Sequence, residues 1–333
     1  MLHGRGVHLD DERLDRLYRT VAGPLGRVAR RLAADLGGET PETDRLTRHV
    51  CHLRGKMLRP ALVLLSGQAS GHCGTRHETL AAVVELIHRA TLVHDDVLDE
   101  ADVRRRGPAL NRLLGNEGAV LLGDYLISHA FVLAAELGDS SVLHAIGRTI
   151  RCMCEGELTQ IQRRGDFKIS EQEYLAVIDR KTASLLAACC ELGARLSDAD
   201  PDTCRRLEAF GRQLGMAFQI IDDVLDLTGT TEHLGKSVGR DLDKGELTLP
   251  VIRLLATDDR QRRKEVWAVL SDGAVDRSAR IRALLDGTDA LDYSCGMARQ
   301  YVSHATDMLT PLPDSPARRA LASVGEFILS GTK

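Results

Sequence analysis

Hydrophobic residues recur at steps of three and four positions along most of this chain. Residues at this spacing share one face of an α-helix, which turns once in about 3.6 residues. One such segment runs from about residue 78 to residue 100, and another from about residue 204 to residue 227. The apolar positions of the first are Leu80, Val83, Val84, Ile87, Ala90, Leu92 and Val97. The pattern predicts helices throughout.

Start signals separate the predicted helices. Asp139 is an N-cap candidate, Ser170 with Glu173 reads as a capping box, and Asp200 precedes Pro201. Such polar side chains accept hydrogen bonds from the free N–H groups of a first turn, where proline also fits. No repeat, low-complexity tract or flexible linker interrupts the series. We therefore predict an all-α protein of about ten or more helices in a single domain over residues 1–333, with a lead-in of about 20 residues.

Composition narrows the functional class. Hydrophobic residues make up 43% and charged residues 28%, and the net charge is -4. No basic run stands out, so nucleic acid is not an expected partner. The polar N-terminus lacks a signal-peptide core, and no stretch reaches the roughly 18 apolar residues of a membrane span. These features predict a cytoplasmic protein without a membrane span.

The eight cysteines show no spacing that indicates a metal site. Two adjacent groups, Cys152 with Cys154 and Cys189 with Cys190, lie in apolar helical sequence without a Cys-x-x-Cys pair. We interpret them as buried free thiols rather than as ligands or disulfides.

Two copies of Asp-Asp-x-x-Asp occur, one in each apolar segment named above. Their residues are Asp95, Asp96 and Asp99, and Asp222, Asp223 and Asp226. Helical residues four apart lie one turn apart on one face, so each motif presents a pair of carboxylates. Cations relieve their repulsion, and hard oxygen ligands suit Mg²⁺, which also retains phosphate oxygens. The pattern therefore indicates a magnesium diphosphate ligand. A solvated helix end is the alternative, and it is less attractive for two identical motifs.

Basic residues supply a second kind of phosphate site. Lys56 and Arg59 lie three apart in a Gly-Lys-x-x-Arg-Pro sequence, and three arginines at positions 104–106 begin five residues after the first acidic motif. Arginine grips phosphate oxygens bidentately and lysine acts as a point charge, so these groups suit a diphosphate held without metal. A charged surface run is the alternative for the arginines.

The ordered set of motifs resembles the trans-isoprenyl diphosphate synthases, the polyprenyl synthetase family, and within it the octaprenyl and heptaprenyl diphosphate synthases. The resemblance runs from Lys56 to the C-terminal Leu-Pro-Asp-Ser at residues 312–315. It includes Lys181-Thr182 and the sequence Gly-Met-Ala-Phe-Gln at residues 215–219, before the second acidic motif.

This resemblance implies an all-α bundle around a central cavity, a homodimer, and Mg²⁺-dependent head-to-tail condensation of isopentenyl diphosphate with an allylic diphosphate. Three Mg²⁺ ions would be held by Asp95, Asp99 and Asp222. The implied catalytic set is Asp95, Asp96, Asp99, Lys181, Asp222 and Asp223. Isopentenyl diphosphate would be bound by Lys56, Arg59, His88, Arg105 and Phe218. The allylic diphosphate would be bound by Arg104, Lys181, Thr182, Gln219 and Lys236.

Product length is predicted from the turn before the first acidic motif. By the resemblance, the product grows past this level, where an aromatic residue often stops it. Here Ala90 and Thr91 are small and leave a passage open, so we expect a long product of thirty to fifty carbons, whose release from the enzyme would draw on a membrane or a carrier. A farnesyl or geranylgeranyl diphosphate synthase is the alternative.

Glu246 departs from the family pattern, which usually has lysine in Gly-Lys-x-Thr-Leu-Pro. We expect the substitution to remove one cation near the allylic diphosphate, with Lys244 as a substitute that faces differently.

Two alternative functions remain. A terpene cyclase of the same fold is disfavoured by Lys56, Arg59 and the second Asp-Asp-x-x-Asp, and a non-catalytic partner subunit is disfavoured by both intact acidic motifs.

Overall fold

A computed structural model describes residues 13–14, 16–35, 40, 46–47, 56–104, 107–229, 239–272 and 276–331. Nearly all of the elements in these ranges are helices. The longer helices of the N-terminal part are α1 (Ala22–Asp35), α2 (Leu58–Ala69), α3 (Thr75–Leu98), α4 (Leu110–Glu136) and α5 (Ser140–Gln162). They are followed by α6 (Glu171–Ile178), a π-helical turn (Asp179–Ala183), α7 (Ser184–Arg195) and α8 (Pro201–Thr228). The remainder are α9 (Arg240–Asp243), α10 (Leu249–Leu255), α11 (Arg260–Ser271), α12 (Arg277–Leu285), α13 (Ala290–Leu309) and α14 (Pro316–Ser330). The all-α prediction is confirmed.

One small exception to the helical pattern lies between α3 and α4. Strands β1 (Val103–Arg104) and β2 (Gly107–Pro108) pair antiparallel, with Val103 opposite Pro108 and Arg104 opposite Gly107. The sequence analysis did not predict this hairpin, because segments of two residues are too short for an alternating pattern to show.

The three predicted helix starts are present. Ser170 Oγ accepts from the Glu173 backbone N–H at 3.3 Å, and the Glu173 carboxylate accepts in return from the Ser170 N–H at 2.9 Å. Oδ1 of Asp139 accepts from the N–H of Ser141 at 3.0 Å. Oδ1 of Asp200 accepts from the two N–H groups of residues 202 and 203, and Pro201 is the first residue of α8. Each carboxylate or hydroxyl satisfies donors that have no partner inside the helix.

The contacts divide the chain into two compact units. The first comprises Met1–Arg148, Leu186–Gly211 and Met308–Val324, and the second comprises Thr149–Leu185, Arg212–Asp307 and Gly325–Lys333. The single domain predicted from the sequence stays a prediction.

Helix α3 is the centre of the first unit, since α1, α2 and α4 all pack against it. Five of its seven predicted apolar positions, Leu80, Val83, Val84, Ile87 and Ala90, are at most 2% exposed, while Leu92 and Val97 are half-buried. Each such leucine, valine or isoleucine contributes about 1.5–3 kcal/mol by leaving water. The packing of these buried side chains therefore holds α3 in place up to the turn before the first acidic motif.

Close helix contacts in the first unit depend on glycine. At Gly67 of α2, a Cβ would lie 2.4 Å from the His77 ring, and at Gly123 of α4 it would lie 2.1 Å from His94 Nε2. A side chain at either position would overlap a histidine ring of α3, so that ring or the helix would have to shift.

In the second unit, α10 packs against α6 and α11, and α12 packs against α9, α10 and α11. The Tyr293 hydroxyl of α13 donates a hydrogen bond to the Glu171 carboxylate at 2.9 Å. The Arg253 guanidinium lies 4.5 Å from the centre of the Tyr293 ring. These contacts join α13 to the start of α6 and to the last turn of α10.

The cysteines are reduced throughout the described part of the chain. Cys189 and Cys190 are buried as predicted, and burial raises the pKa of Cys190 to about 12. For Cys152 and Cys154 the prediction of burial was wrong, since the first is half-buried and the second is exposed. They lie on α5, where the apolar sequence around them faces outward as well as inward.

Helix α4 is long and apolar enough, by length and composition, to cross a membrane, and among the described helices it alone meets that test. One side of α4 packs on α3. After a break in the helical geometry at Gly115, the opposite side exposes Val120, Leu121, Phe131 and Val132. The prediction of no membrane span stays a prediction.

Candidate active site

The first acidic motif lies at the C-terminal end of α3. Asp95 and Asp99 are half-buried, and the Asp99 N–H donates to the Asp95 carbonyl at 2.8 Å. That hydrogen bond extends the helical geometry through the motif, so the two carboxylates lie one turn apart, as predicted.

Asp96 has a different environment from its neighbours in the motif. It is 1% exposed, and its Oδ2 accepts a 3.2 Å hydrogen bond from the backbone N–H of Leu110, the first residue of α4. Asp96 therefore connects the end of α3 to the start of α4. Its assignment to the catalytic set stays a prediction, and the contact in the structure is a structural one.

The residues predicted to bind isopentenyl diphosphate belong to the first unit where the structure describes them, apart from Phe218. Lys56 is exposed and lies two residues before α2. Arg59 is half-buried in the first turn of α2, and His88 is half-buried on α3. Helices α2 and α3 pack against each other. Between the two cations, Met57 has φ 51°, a left-handed conformation that turns the chain into α2.

Arg104 lies in strand β1, and Arg105 and Lys236 lie outside the described residues.

In the second unit, the second acidic motif belongs to a hydrogen-bonded series of four side chains. Asp223 is 4% exposed and accepts from Tyr174 Oη at 2.6 Å and from Gln219 Nε2 at 2.7 Å. The Oε1 atom of Gln219 accepts from Thr182 Oγ1 at 2.7 Å. Burial, and then the Asp223 charge, raise the pKa of Tyr174 well above its ordinary value. The neutral hydroxyl therefore stays a donor at all physiological pH values.

This series joins residues that are far apart in sequence. It brings the predicted Thr182, Gln219 and Asp223 together, and it adds Tyr174, which sequence analysis missed. Asp222, which is half-buried, and Asp226, which is buried, lie one turn apart on α8. Phe218, predicted to lie against a hydrocarbon chain, is half-buried next to Gln219.

Lys181 and Thr182 lie in the π-helical turn Asp179–Ala183. Two glycines allow neighbouring helices to approach this turn closely: a Cβ at Gly156 would lie 2.8 Å from Lys181 N, and one at Gly215 would lie 2.4 Å from Ala183 Cα. Extra-residue turns of this kind are rare and frequently occur at functional sites. The turn places both side chains of the Lys-Thr motif toward α5 and α8.

Lys181 Nζ lies 2.6 Å from Glu157 Oε2 and donates to Gln160 Oε1 at 3.3 Å. The Gln160 amide N–H donates in turn to Glu246 Oε2, while Oε1 of Glu246 accepts from Arg164 Nε at 2.7 Å. Glu246 is 8% exposed. Sequence analysis also missed Glu157, Gln160 and Arg164. Their separations of three and four residues, which place them on one side of a helix, could have pointed to them.

Ala90 and Thr91, predicted to set product length, lie in the C-terminal half of α3. Ala90 is fully buried, and Thr91 is half-buried with its hydroxyl donating to the His88 carbonyl at 2.8 Å.

The carboxylates of the two acidic motifs suit Mg²⁺ that is bound together with a phosphate ligand. Among the described residues, no three acidic, histidine or cysteine side chains converge to hold a metal ion unaided. Each acidic motif instead offers a pair of carboxylates, and Mg²⁺ commonly takes one or two carboxylates and completes its shell with phosphate oxygens and water. The site therefore suits a metal that arrives with a diphosphate.

Comparison with known proteins agrees with the motifs. The polyprenyl synthetase family model matches residues 40–286. The chain belongs to this family. A heptaprenyl diphosphate synthase component 2 from Geobacillus stearothermophilus is 36% identical over 96% of this chain and 93% of the relative. The octaprenyl diphosphate synthase of Escherichia coli is 32% identical over 94% of this chain and 98% of the relative.

A solved member of the family has the same fold. The polyprenyl synthase of Caulobacter crescentus, in complex with calcium and isoprenyl diphosphate, superposes with a TM-score of 0.91 at 33% identity, covering 95% of this chain and 97% of that one. Membership in the polyprenyl synthetase family makes this chain a prenyltransferase.

Proposed function

We propose that this protein is an all-trans polyprenyl diphosphate synthase that condenses isopentenyl diphosphate head to tail with an allylic diphosphate and makes a long-chain product. The observation that carries the proposal is the hydrogen-bonded series from Thr182 through Gln219 to Asp223. It connects the Lys-Thr motif to the second acidic motif inside one compact unit. Long-chain synthases among the relatives support the product class.

The allylic diphosphate is assigned to the acidic motifs and to cations around them. Asp95, Asp99 and Asp222 would hold Mg²⁺, with three ions per site by family resemblance. When bound, the metal neutralises charge that develops on the departing diphosphate. Lys181 and Thr182 contribute an ammonium and a hydroxyl to the same group. Arg104, Gln219 and Lys236 complete the predicted set.

Isopentenyl diphosphate is assigned to the layer formed by α2 and α3. Lys56, Arg59 and His88 would hold its diphosphate, together with Arg105, and Phe218 would contact its hydrocarbon part. Because this diphosphate does not leave during the reaction, cationic side chains suffice to bind it.

The chemistry exchanges one bond for another. The allylic C–O bond breaks, and its electron pair leaves with the diphosphate; the double bond of isopentenyl diphosphate then forms the new C–C bond. A proton leaves the resulting cation to restore a double bond, and the released diphosphate accepts it. Apolar surroundings keep water from trapping the cation as an alcohol.

Two further properties belong to the proposal. The small residues Ala90 and Thr91 leave room for a product of thirty to fifty carbons, which a membrane or carrier would receive from a cytoplasmic enzyme. A homodimer is proposed through the exposed face of α4, where Leu121 is 68% and Val132 is 59% exposed. Leu121 and Val132 are eleven residues apart, three helical turns, so they lie on one side.

The test is a product-length assay on the purified protein. Isopentenyl diphosphate labelled with carbon-14 is incubated with Mg²⁺ and, separately, with dimethylallyl, geranyl, farnesyl and geranylgeranyl diphosphates, and the dephosphorylated products are sized by chromatography. A ladder ending at thirty carbons or more is expected. An end at fifteen or twenty carbons would retain the reaction and overturn the long-chain assignment.

The matched control is Asp99→Asn, which keeps the size of the side chain and removes a predicted metal ligand. It should abolish elongation with every primer. No elongation by the wild-type protein would contradict the proposal, and elongation only after a second protein is added would identify a partner subunit, as the component name of the heptaprenyl relative suggests.

A further inference from the structure

The unusual Glu246 is the acidic end of a side-chain relay within the second unit. Glu246 is 8% exposed, and its two oxygens accept from different donors, Arg164 Nε at 2.7 Å and the Gln160 amide. The other end of the Gln160 amide accepts from Lys181 Nζ at 3.3 Å. Four side chains, from three separate stretches of sequence, are thus connected in one order: Arg164, Glu246, Gln160 and Lys181.

We propose that Glu246 is a positioning residue for Lys181, acting through Gln160, and that the lysine usual at position 246 would disrupt this particular site. The inference rests on the proposed function, in which Lys181 contacts the allylic diphosphate. It extends that function by assigning a role to the residue that departs most clearly from the family pattern.

Hydrogen-bond polarity gives the relay its direction. A carboxylate only accepts hydrogen bonds, an ammonium only donates them, and a primary amide does one at each end. Between Glu246 and Lys181, the Gln160 amide can satisfy both neighbours in one orientation only, with Nε2 toward Glu246 and Oε1 toward Lys181. The carboxylate at position 246 therefore dictates that an acceptor faces Lys181.

Backbone geometry keeps Glu246 in place. The Gly165 N–H donates to the Gly245 carbonyl at 2.9 Å, which ties the end of α5 to the loop before α10. Gly245 has φ 76°, and a Cβ there would lie 2.9 Å from Gly165 N. Glycine at 245 is thus required both for the backbone conformation and for the close approach. Arg164 directly precedes Gly165 and Glu246 directly follows Gly245, so the backbone contact brings these two residues near each other.

Charge balance gives the same conclusion. Lys181 pairs with Glu157, and Arg164 pairs with Glu246, so the cluster holds two cations and two anions. A lysine at 246 would place three cations against one anion and would lie against the Arg164 guanidinium. The Gln160 amide would turn its oxygen to the new ammonium and present N–H to Lys181, which cannot accept it.

The decisive experiment restores the family residue. Glu246→Lys is expected to raise the KM for farnesyl diphosphate about tenfold, the effect of losing one hydrogen bond to a charged group. The KM for isopentenyl diphosphate should change by less than about twofold, because its assigned residues lie outside the relay. Calorimetric titration of inorganic diphosphate with Mg²⁺ should show the same loss without turnover.

A second substitution tests the polarity directly. In the double variant Gln160→Glu/Glu246→Lys, a carboxylate at position 160 accepts from both lysines, so the KM for farnesyl diphosphate should return to within about threefold of wild type.

Two further variants serve as controls. Glu265→Lys makes the same charge change at an exposed position of α11 and should leave both KM values unchanged. Gln160→Met removes the relay at similar volume and should match Glu246→Lys, which keeps the test valid if Glu246→Lys does not fold.

Three results would overturn the relay. They are an unchanged or lower KM for farnesyl diphosphate in Glu246→Lys, equal losses for both substrates, and failure of the folded double variant to recover. A wild-type protein that does not elongate any primer would instead overturn the proposed function, and the titration with inorganic diphosphate would still decide the relay.

Discussion

The Tyr174 hydroxyl donates a 2.6 Å hydrogen bond to Oδ2 of Asp223, and both side chains are buried. This contact joins α6 to the second acidic motif on α8. Asp223 also accepts from Gln219 Nε2 at 2.7 Å, while Asp222 is half-buried on the neighbouring side of the helix. Asp223 therefore connects α8 to α6, and the assignment of Asp222 as a metal ligand stays a prediction.

Removing the hydroxyl in Tyr174→Phe should lower the free energy of unfolding by about 1–3 kcal/mol, because a buried carboxylate oxygen loses its donor. Urea unfolding measures the change. Tyr125→Phe is the control, since Tyr125 is only half-buried and stacks on His129 with ring centres 6.4 Å apart. A Tyr174→Phe protein as stable as the control would show that the contact is dispensable.

Asp95 and Asp96 should respond differently to the same substitution. Asp96→Asn weakens a buried acceptor for the Leu110 N–H and should cost about 1 kcal/mol or more of stability. Asp95→Asn should leave stability within about 0.5 kcal/mol and reduce kcat/KM at least about 100-fold, since it removes a proposed metal ligand. Thermal unfolding and the elongation assay separate the two effects. Equal stability losses would contradict the structural role of Asp96.

Ala90→Phe should shorten the longest product. The added ring fills space one turn before Asp95, and overpacking a fully buried site should also cost about 1–3 kcal/mol. Chromatography of the products measures their length. Ala134→Phe is the matched control, because Ala134 is equally buried on α4 but is not assigned to the cavity floor. An unchanged product ladder in folded Ala90→Phe would make the assignment wrong.

Stability should fall as the pH decreases below the ordinary histidine pKa of 6.5, in part because of His77. Burial lowers the pKa of His77, and its Nδ1 accepts from the Gly74 N–H at 3.1 Å, so the folded protein holds the neutral ring. The unfolded chain therefore binds the proton first, and stability is lost as pH falls from 6.5 toward the lowered value.

The slope for one group is at most about 1.4 kcal/mol per pH unit. Urea unfolding at several pH values, compared between wild type and His77→Gln, isolates the contribution of His77. Identical slopes in the two proteins between pH 7 and pH 5 would contradict this prediction.

Leu121→Glu should dissociate the proposed homodimer, because it places a charge in the middle of the exposed apolar face of α4. Sedimentation velocity measures the oligomeric state. Gln261→Glu, at an exposed position of α11, is the control for added charge. If both variants sediment as the wild type does, α4 is not the interface.

The sequence alone determined the local features of this protein. Apolar spacing predicted the helices that became α3 and α8, and the polar residues at 139, 170 and 200 marked helix starts, since these effects act within one or two turns. The acidic motifs predicted a magnesium diphosphate ligand, because each motif has two carboxylates four residues apart on one helix. The ordered motifs also carried the family resemblance.

Only the tertiary structure decided which side chains meet across long separations. The contact between Tyr174 and Asp223 spans 49 residues, and the contact between Arg164 and Glu246 spans 82. The structure also distinguished Asp96, which accepts a hydrogen bond from the start of α4, from Asp95. It showed that Glu246 has two hydrogen-bond partners, whereas the sequence showed only that a lysine was missing. Helical periodicity gives the face on which a residue lies but not the partner packed against that face, because partners are chosen by the packing of whole helices.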